Sequence, residues 1–345
     1  MFKQYKRIGW RSLLQNAPKV FWLGLLCVAA LIAKVFFDYE PTNVIEIKSR
    51  SWDRNYVLEL EDKEPVVFRE LFGPEARSRA IRFRKILPKL EMVGVGPGLI
   101  KFDDTHLAMT HIPGTNLRLS ALRDGRVIPD LIHSMDKFYK SLQSIRDEFP
   151  LFRMVDVGRK LLHAIPGPND AFVKLIDKWE KKYLPMLEKM RMVVVHGDLH
   201  VGNILWYDKK AWLIDYDFSG RGYIVEDIAR LSIYSALTKK DEQALLSHWF
   251  GGTCGGNDEE LQELFEACKV FARFLWALPV AYNIPRNVVR RAVYAENPEP
   301  MDAVWASDLT SSPNEPSVED AYKFLAASID QMNQLFESQK VCSRG

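Results

Sequence analysis

Beyond Asn43 the chain opens with short runs in which apolar and polar positions alternate. Val44-Ile45-Glu46-Ile47, Tyr56-Val57-Leu58-Glu59-Leu60 and Val66-Val67-Phe68 are rich in β-branched and aromatic residues, with charged turns such as Glu61-Asp62-Lys63 between them. Period two with that composition predicts an antiparallel meander. Residues 75–90 switch to helical spacing with many arginines, and Pro88 lies near the end. Gly94-Val95-Gly96-Pro97-Gly98 is a turn, and residues 99–102 and 105–110 read as a second hairpin. Pro113-Gly114 then breaks the chain. Helical spacing dominates beyond it, over about 128–148, 153–163, 169–190, 226–238, 240–249, 258–279 and 317–337. One strand-like island interrupts the helices, at 192–195 and 211–214. The predicted class is α+β. A small β-rich lobe at 41–113 is followed by a larger helical lobe at 114–345, with a Pro/Ser-rich loop at 295–316.

Composition narrows the function classes. The 345 residues suffice for about two domains, and 47% hydrophobic with 27% charged residues excludes global disorder. A net charge of +2 argues against a dedicated nucleic-acid binder. Cys27, Cys254, Cys268 and Cys342 form no CxxC pair, so neither a zinc site nor a disulfide scaffold is expected, and a reducing compartment fits. No repeat of 20–50 residues supports a solenoid.

Residues 1–40 form a separate segment. From 20 to 33 the chain carries no charge, Lys34 interrupts, and Val35-Phe36-Phe37 follow. A spanning helix needs about 20 apolar residues, a length reached over 20–37 only if Lys34 snorkels. Lys3, Lys6, Arg7, Arg11 and Lys19 precede it. A membrane anchor or interfacial helix is the leading expectation, with a buried helix and a cleaved signal as alternatives. The basic flank favours an inside N-terminus. That orientation conflicts with the cytosolic chemistry below unless the helix is interfacial or the charge rule is weak here. The expected location is the cytoplasm, with anchoring to the cytoplasmic face of the membrane through residues 20–37 as an option.

The chemistry concentrates in Val195-His196-Gly197-Asp198-Leu199-His200-Val201-Gly202-Asn203-Ile204-Leu205, followed by Trp212-Leu213-Ile214-Asp215-Tyr216-Asp217-Phe218. A strand feeds a polar loop, and the next strand ends in acids. Asp198 and Asn203 share one loop, and Asp215 can reach the same point. Two carboxylates and an amide make an oxygen-rich shell suited to Mg²⁺. A loop supplying Asp and Asn, with a further Asp downstream, is the arrangement of kinase phosphoryl transfer. A His196/His200 metal pair is not supported, because no acid–His spacing accompanies it.

HGDLHVGN followed by IDYD resembles the aminoglycoside phosphotransferase and choline kinase superfamily. The resemblance spans about 43–340 and is strong over 192–230. It implies a protein-kinase-like fold, ATP and Mg²⁺ as cofactors, Asp198 as catalytic base, and Asn203 and Asp215 as metal ligands with Asp217 assisting. His196 would brace the loop, Asp227 would be scaffold at a helix start, and His200 reads as loop packing. Val66-Val67-Phe68-Arg69 resembles the strand that offers a cation to the phosphates, so Arg69 takes that role. The helix that supplies its acid in the family has none inside, leaving Glu75 or Glu70 to substitute. The phosphate-covering loop has no Gly in Ser49–Tyr56, and the Ser51 backbone takes that position. The segment around His111-Ile112-Pro113-Gly114 matches the family's hinge, so Thr110 and Ile112 would hold adenine by their backbone groups.

Only eleven residues separate Asp215 from Asp227. That is too short for a protein kinase's activation segment and favours a small alcohol as acceptor. Val270–Leu278 resembles the choline kinase helix whose aromatics enclose a quaternary ammonium, with Trp276 matching. Tyr234 stands where those kinases carry a Glu. The leading expectation is a choline/ethanolamine-like kinase. A membrane-associated kinase of a sugar or lipid head group, and a catalytically weak scaffold, are the alternatives.

Overall fold

The computed structural model describes residues 41–47, 53–73, 75–123, 125–164, 170–251, 258–283 and 318–342. Residues 1–40, Ser51 and the loop at 295–316 lie outside them. The chain divides into two compact units, one comprising residues up to Arg84 with Pro97–His111, the other Lys85–Gly96 with everything from Ile112 onward.

In the first unit, β1 (Asn43–Ile47), β2 (Arg54–Leu60), β3 (Lys63–Glu70), β4 (Leu99–Phe102) and β5 (His106–Thr110) make one antiparallel sheet in the order β1-β2-β3-β5-β4. The period-two pattern of the sequence is what closes it. Tyr56, Leu58 and Leu60 on β2 and Val66 and Phe68 on β3 point to one face and bury there with Ala108, and Val44 packs against them. The β2–β3 turn places Asp62 at φ 54°, a left-handed position that Asp tolerates.

Helix α1 (Ala76–Val93) runs past Pro88 by more than a turn. Leu87 and Leu90 are fully buried, and that packing carries the helix through Pro88 and past the expected end at residue 90. It stops instead at Gly94, whose φ of 67° allows a Schellman closure. Val95 N–H donates to Leu90 O at 3.0 Å and Gly94 N–H to Glu91 O at 3.0 Å.

The second unit is mainly helical: α2 (Leu119–Arg123), α3 (Ile128–Leu142), α4 (Met154–Ala164), α5 (Asp170–Leu187), α6 (Ile224–Ser235), α7 (Lys239–Phe250), α8 (Asp258–Asn283) and α9 (Val318–Cys342). The helix expected over 128–148 tightens to 3₁₀ at Gln143–Glu148, which buries no side chain and so gains nothing from α-geometry. The helix expected to reach 238 ends at Ser235, because Ala236 turns left-handed at φ 48°. Nearly every residue of α6 is buried, and α8 packs against α6, α4 and α9. Trp179 of α5 stacks on Phe271 of α8 with centroids 4.5 Å apart.

Short strands frame the polar loop. β7 (Val193–Val195) pairs antiparallel with β10 (Gly220–Gly222), and β6 (Thr115–Asn116), β8 (Ile204–Tyr207) and β9 (Lys210–Leu213) form a second small sheet. Asp208 and Lys209 take φ of 49° and 57° in the β8–β9 hairpin, the twist a two-residue turn requires.

Candidate active site

β7 is buried on both faces and delivers His196 at its end. His196 Nε2 meets Ile214 O at 2.9 Å and Nδ1 receives Asp198 N–H at 3.4 Å, which fixes the neutral tautomer with the proton on Nε2. Burial holds its pKa below the ordinary value despite nearby carboxylates. The next residue, Gly197, has φ of 81°, and a Cβ there would stand 2.3 Å from Phe218 O. Only glycine fits that bend.

Asp227 in the first turn of α6 ties the bend down. It is fully buried and accepts His196 N–H at 2.7 Å, Gly197 N–H at 2.9 Å and the Tyr139 hydroxyl at 3.1 Å. Val201 N–H donates to Ser235 Oγ at 3.1 Å, Ser219 Oγ to His196 O at 3.2 Å and Asn116 Nδ2 to Gly202 O at 2.8 Å. The loop backbone is thus fixed by hydrogen bonds with four side chains, those of Asp227, Ser235, Ser219 and Asn116.

On this frame the Asp198 side chain is 30% exposed. Burial raises its pKa, but His200, Arg230 and His196 outweigh that, so the carboxyl titrates below its ordinary value and is ionised at neutral pH. His200 Nε2 stands 3.6 Å from Asp198 Oδ2, beyond hydrogen-bond length but within electrostatic reach. Its Nδ1 accepts Gly202 N–H at 3.0 Å. His200 therefore does more than pack the loop: it orients toward the carboxylate. Sequence reasoning missed this because a lone loop His carries no periodic signal.

Asn203 Nδ2 donates to Asp198 O at 2.9 Å and to Asp198 Oδ2 at 3.2 Å. Its Oδ1 makes no hydrogen bond among the described residues. Ile214 N–H donates to Asn203 O at 3.0 Å while Ile214 O receives His196, so Asp215 follows a residue anchored to the loop at both ends. Asp215 adopts φ of 66°, a left-handed position that Asp tolerates. Asp217 lies half-buried two residues on. Among the described residues no three His, Cys, Asp or Glu side chains form a ready cage. The donors here are instead an amide oxygen and carboxylates, the hard set that fits Mg²⁺ shared with phosphates.

In the first unit Arg69 is 5% exposed and meets Asp53 through Nε at 3.0 Å and Nη2 at 2.7 Å. Asp53 also binds Arg79 of α1 at 2.6 Å and Phe72 N–H at 2.9 Å. The acid beside the strand cation is thus Asp53, from the segment before β2. Glu75 and Glu70 are the acids expected in that place; helix α1 instead brings a second arginine, Arg79, to Asp53. Burial opposes ionisation of Asp53, but Arg79, Phe72 N–H and Arg69 together hold its pKa below the usual range. Thr110 N–H is committed to Gly98 O at 2.9 Å, and its hydroxyl receives Gly98 N–H at 2.7 Å. Ile112 O receives Gly114 N–H at 2.7 Å, and Ile112 N–H has no partner among the described residues.

Tyr234 and Trp276 meet with ring centroids 4.0 Å apart, and the Tyr234 hydroxyl donates to Ala272 O at 2.9 Å. Tyr234 also faces His200 edge-on at 6.4 Å, so the aromatic pair stands next to the loop bearing Asp198. A groove of about 760 Å³ in this unit, lined by Tyr139, Met186, Trp249, Phe250 and Leu264, reaches the Asp227 clamp through Tyr139 and includes none of Asp198, Asn203, Asp215, Tyr234 and Trp276.

The model of a family described as "Phosphotransferase enzyme family" matches residues 44–264. No curated protein matches the chain by sequence. Among solved structures, choline kinase LicA from Streptococcus pneumoniae superposes with a TM-score of 0.61 at 13% identity, covering 90% of this chain and 99% of that one. An ethanolamine kinase of Plasmodium vivax gives 0.57 at 14%, covering 83% and 82%. The streptomycin–ATP ternary complex of APH(2″)-IIa gives 0.54 at 12%, covering 72% and 88%. At such identities the likeness is one of fold, and the fold is the α+β, kinase-like one that the motif implied.

Proposed function

The chain belongs to the phosphotransferase enzyme family, and on that premise we propose that it transfers the γ-phosphoryl group of ATP to the hydroxyl of a small molecule. The observation that carries this reading is the state of Asp198: an ionised, partly exposed carboxylate on a loop that Asp227 clamps, beside the open amide oxygen of Asn203. In this reading residues 41–113 bind the nucleotide and 114–345 carry the chemistry and the acceptor.

Asp198 orients the acceptor hydroxyl. With its pKa held low it is a weak base, so the proton transfers late, as a loose transition state allows. His196, neutral and locked, keeps the Asp198 backbone in register and takes no proton. Asn203 and Asp215, assisted by Asp217, would hold Mg²⁺, whose charge offsets that of the phosphates. Arg69, kept in place by Asp53, adds positive charge for the phosphates. Ile112 N–H is the freer of the two hinge groups for adenine, and the Ser51 backbone would approach the phosphates. Catalysis on this account is positioning and electrostatics.

A choline- or ethanolamine-like acceptor is the second reading, favoured by the Tyr234–Trp276 pair beside the loop. A cytoplasmic enzyme held at the membrane through residues 20–37 is compatible with either. A non-catalytic scaffold is disfavoured, since Asp198, Asn203 and Asp215 are all present. The test is Asp198→Asn. It should lower kcat about 10²–10⁴-fold and leave Mg-ATP affinity near the parent's, measured by ADP release and calorimetry. Unchanged turnover would refute the role, and so would an equal loss of nucleotide binding.

A further inference from the structure

One charged side chain of the second unit lacks the partners that burial demands. Arg230 lies on α6, one turn after Glu226 and one turn before Tyr234, and is 6% exposed. Its Nε and Nη2 are sealed from solvent with no hydrogen bond, and the guanidinium makes no hydrogen bond or ion pair with any described residue. Its close neighbour is the ring of Phe152, 5.2 Å from Cζ. Arginine cannot shed its charge as a buried lysine does, and an unpaired buried cation is costly. Arg69, equally buried in the first unit, has its carboxylate at 2.7 Å.

Of the acids around Arg230, two are engaged elsewhere and the third, Glu226, is engaged through one oxygen. Asp227 holds His196, Gly197 and Tyr139. Asp198 holds Asn203 and faces His200. Glu226 gives Oε1 to Met154 N–H, and its Oε2, like the guanidinium, has no hydrogen bond. Tyr234, on the same face of α6 as Arg230, touches Trp276 and His200, and His200 faces Asp198. Arg230 therefore lies one helical turn from a ring that faces the Asp198 loop, close enough for its charge to act on Asp198 and Tyr234.

We propose that the acceptor alcohol carries an anionic group, a carboxylate or a phosphate, which pairs with Arg230 while its hydroxyl lies at Asp198. The inference rests on the reading of Asp198 given above. Arg230 supplies the counter-charge, and Tyr234 and Trp276 pack on the carbon skeleton. In the transfer step the acceptor oxygen bonds to the γ-phosphorus, the bond from that phosphorus to the β–γ bridging oxygen breaks, ADP leaves, and the hydroxyl proton passes to Asp198 and then to water. This acceptor class competes with the cationic one of the second reading above, because an ammonium packed on Tyr234 and Trp276 would be buried near the Arg230 guanidinium.

The full chain should be tested with glycerate and glycerol 3-phosphate against glycerol and choline. Turnover is read by ADP release, and binding by calorimetry and thermal shift at fixed ionic strength, with inorganic phosphate as the minimal probe. The anionic alcohols should be preferred. Arg230→Met should reduce their kcat/KM or affinity about 10- to 100-fold, and Arg230→Lys should recover part of it. Without ligand, Arg230→Met should melt higher than the parent, because it removes an unpaired buried charge. A lower melting temperature, a preference for choline, or anion binding that survives Arg230→Met would overturn the proposal. So would the absence of any anion binding that depends on Arg230. Anion binding lost in Arg230→Met supports the site even where no phosphoryl transfer occurs, so its failure and that of the phosphotransfer reading are distinguishable.

Discussion

Asp227 is where the loop geometry can be tested most directly. One of its oxygens accepts His196 N–H and the Tyr139 hydroxyl, and the other accepts Gly197 N–H. Asp227→Asn keeps the volume but turns one acceptor into a donor. If the amide oxygen stays with His196 and Tyr139, the new NH₂ faces Gly197 N–H across 2.9 Å. One hydrogen bond to a charged group is lost, about 1.5–3 kcal/mol, and a buried donor is orphaned, about 1–3 kcal/mol more. A total of about 2.5–6 kcal/mol is expected, less whatever a small shift of the loop recovers. Because Gly197 directly precedes Asp198, turnover should fall as well, by about 10²-fold for a misplacement near 1 Å. Urea denaturation gives the first number and steady-state kinetics the second. Hydrogen exchange localises the change, since the His196 and Gly197 amides should lose protection while those of β3 keep theirs. A variant with the parent's denaturation midpoint and the parent's kcat would show that the clamp does not set the loop.

Three further outcomes are expected. Asp215→Asn should reduce kcat by orders of magnitude through loss of a metal ligand while the denaturation midpoint moves little; turnover at the parent rate would remove Asp215 from the site. Asp53→Asn should raise the KM for ATP and flatten the acid limb of stability. A carboxyl whose folded pKa is depressed contributes stability present above its unfolded pKa, about 3.9, and lost as pH falls through the folded value; an unchanged acid limb contradicts this. Glu226 is the opposite case, because burial lifts its pKa to about 7. The unfolded chain ionises it near pH 4.3, so parent stability falls between about pH 4 and 7 and then levels off. Glu226→Gln should gain on the parent over that window in thermal melts, and a constant difference from pH 4 to 8 would argue that Glu226 stays ionised.

The sequence made legible those parts of the fold and site that repeat or cluster. Period-two strands such as Tyr56–Leu60 and the long helical runs were readable because each buries a regular set of positions. Asp198, Asn203 and Asp215 were readable because they crowd into one short stretch. β10 is Gly-Arg-Gly and β6 is two residues long, so neither carries a pattern, and both form because neighbouring strands offer unpaired edges. The same holds for pairs formed across long stretches of sequence. Asp53 and Arg69 are sixteen residues apart, and Arg79 is twenty-six from Asp53. Nothing local distinguishes Asp53 from a surface acid until the sheet brings it to Arg69. Arg230 reads as an ordinary helix residue, and only its burial without partners marks it out.

The pairing of β10 with β7 bears on how such an enzyme could be controlled. The eleven residues between Asp215 and Asp227 include a strand hydrogen-bonded to the one that delivers His196, and Ser219 there holds the His196 carbonyl. Stitching that stretch to β7 leaves no slack to be ordered or released by a covalent mark. An on/off switch of the kind built on a long, disorderable loop has no place to reside between those two acids. On the phosphotransfer reading, a signalling relay would therefore have no room in that segment.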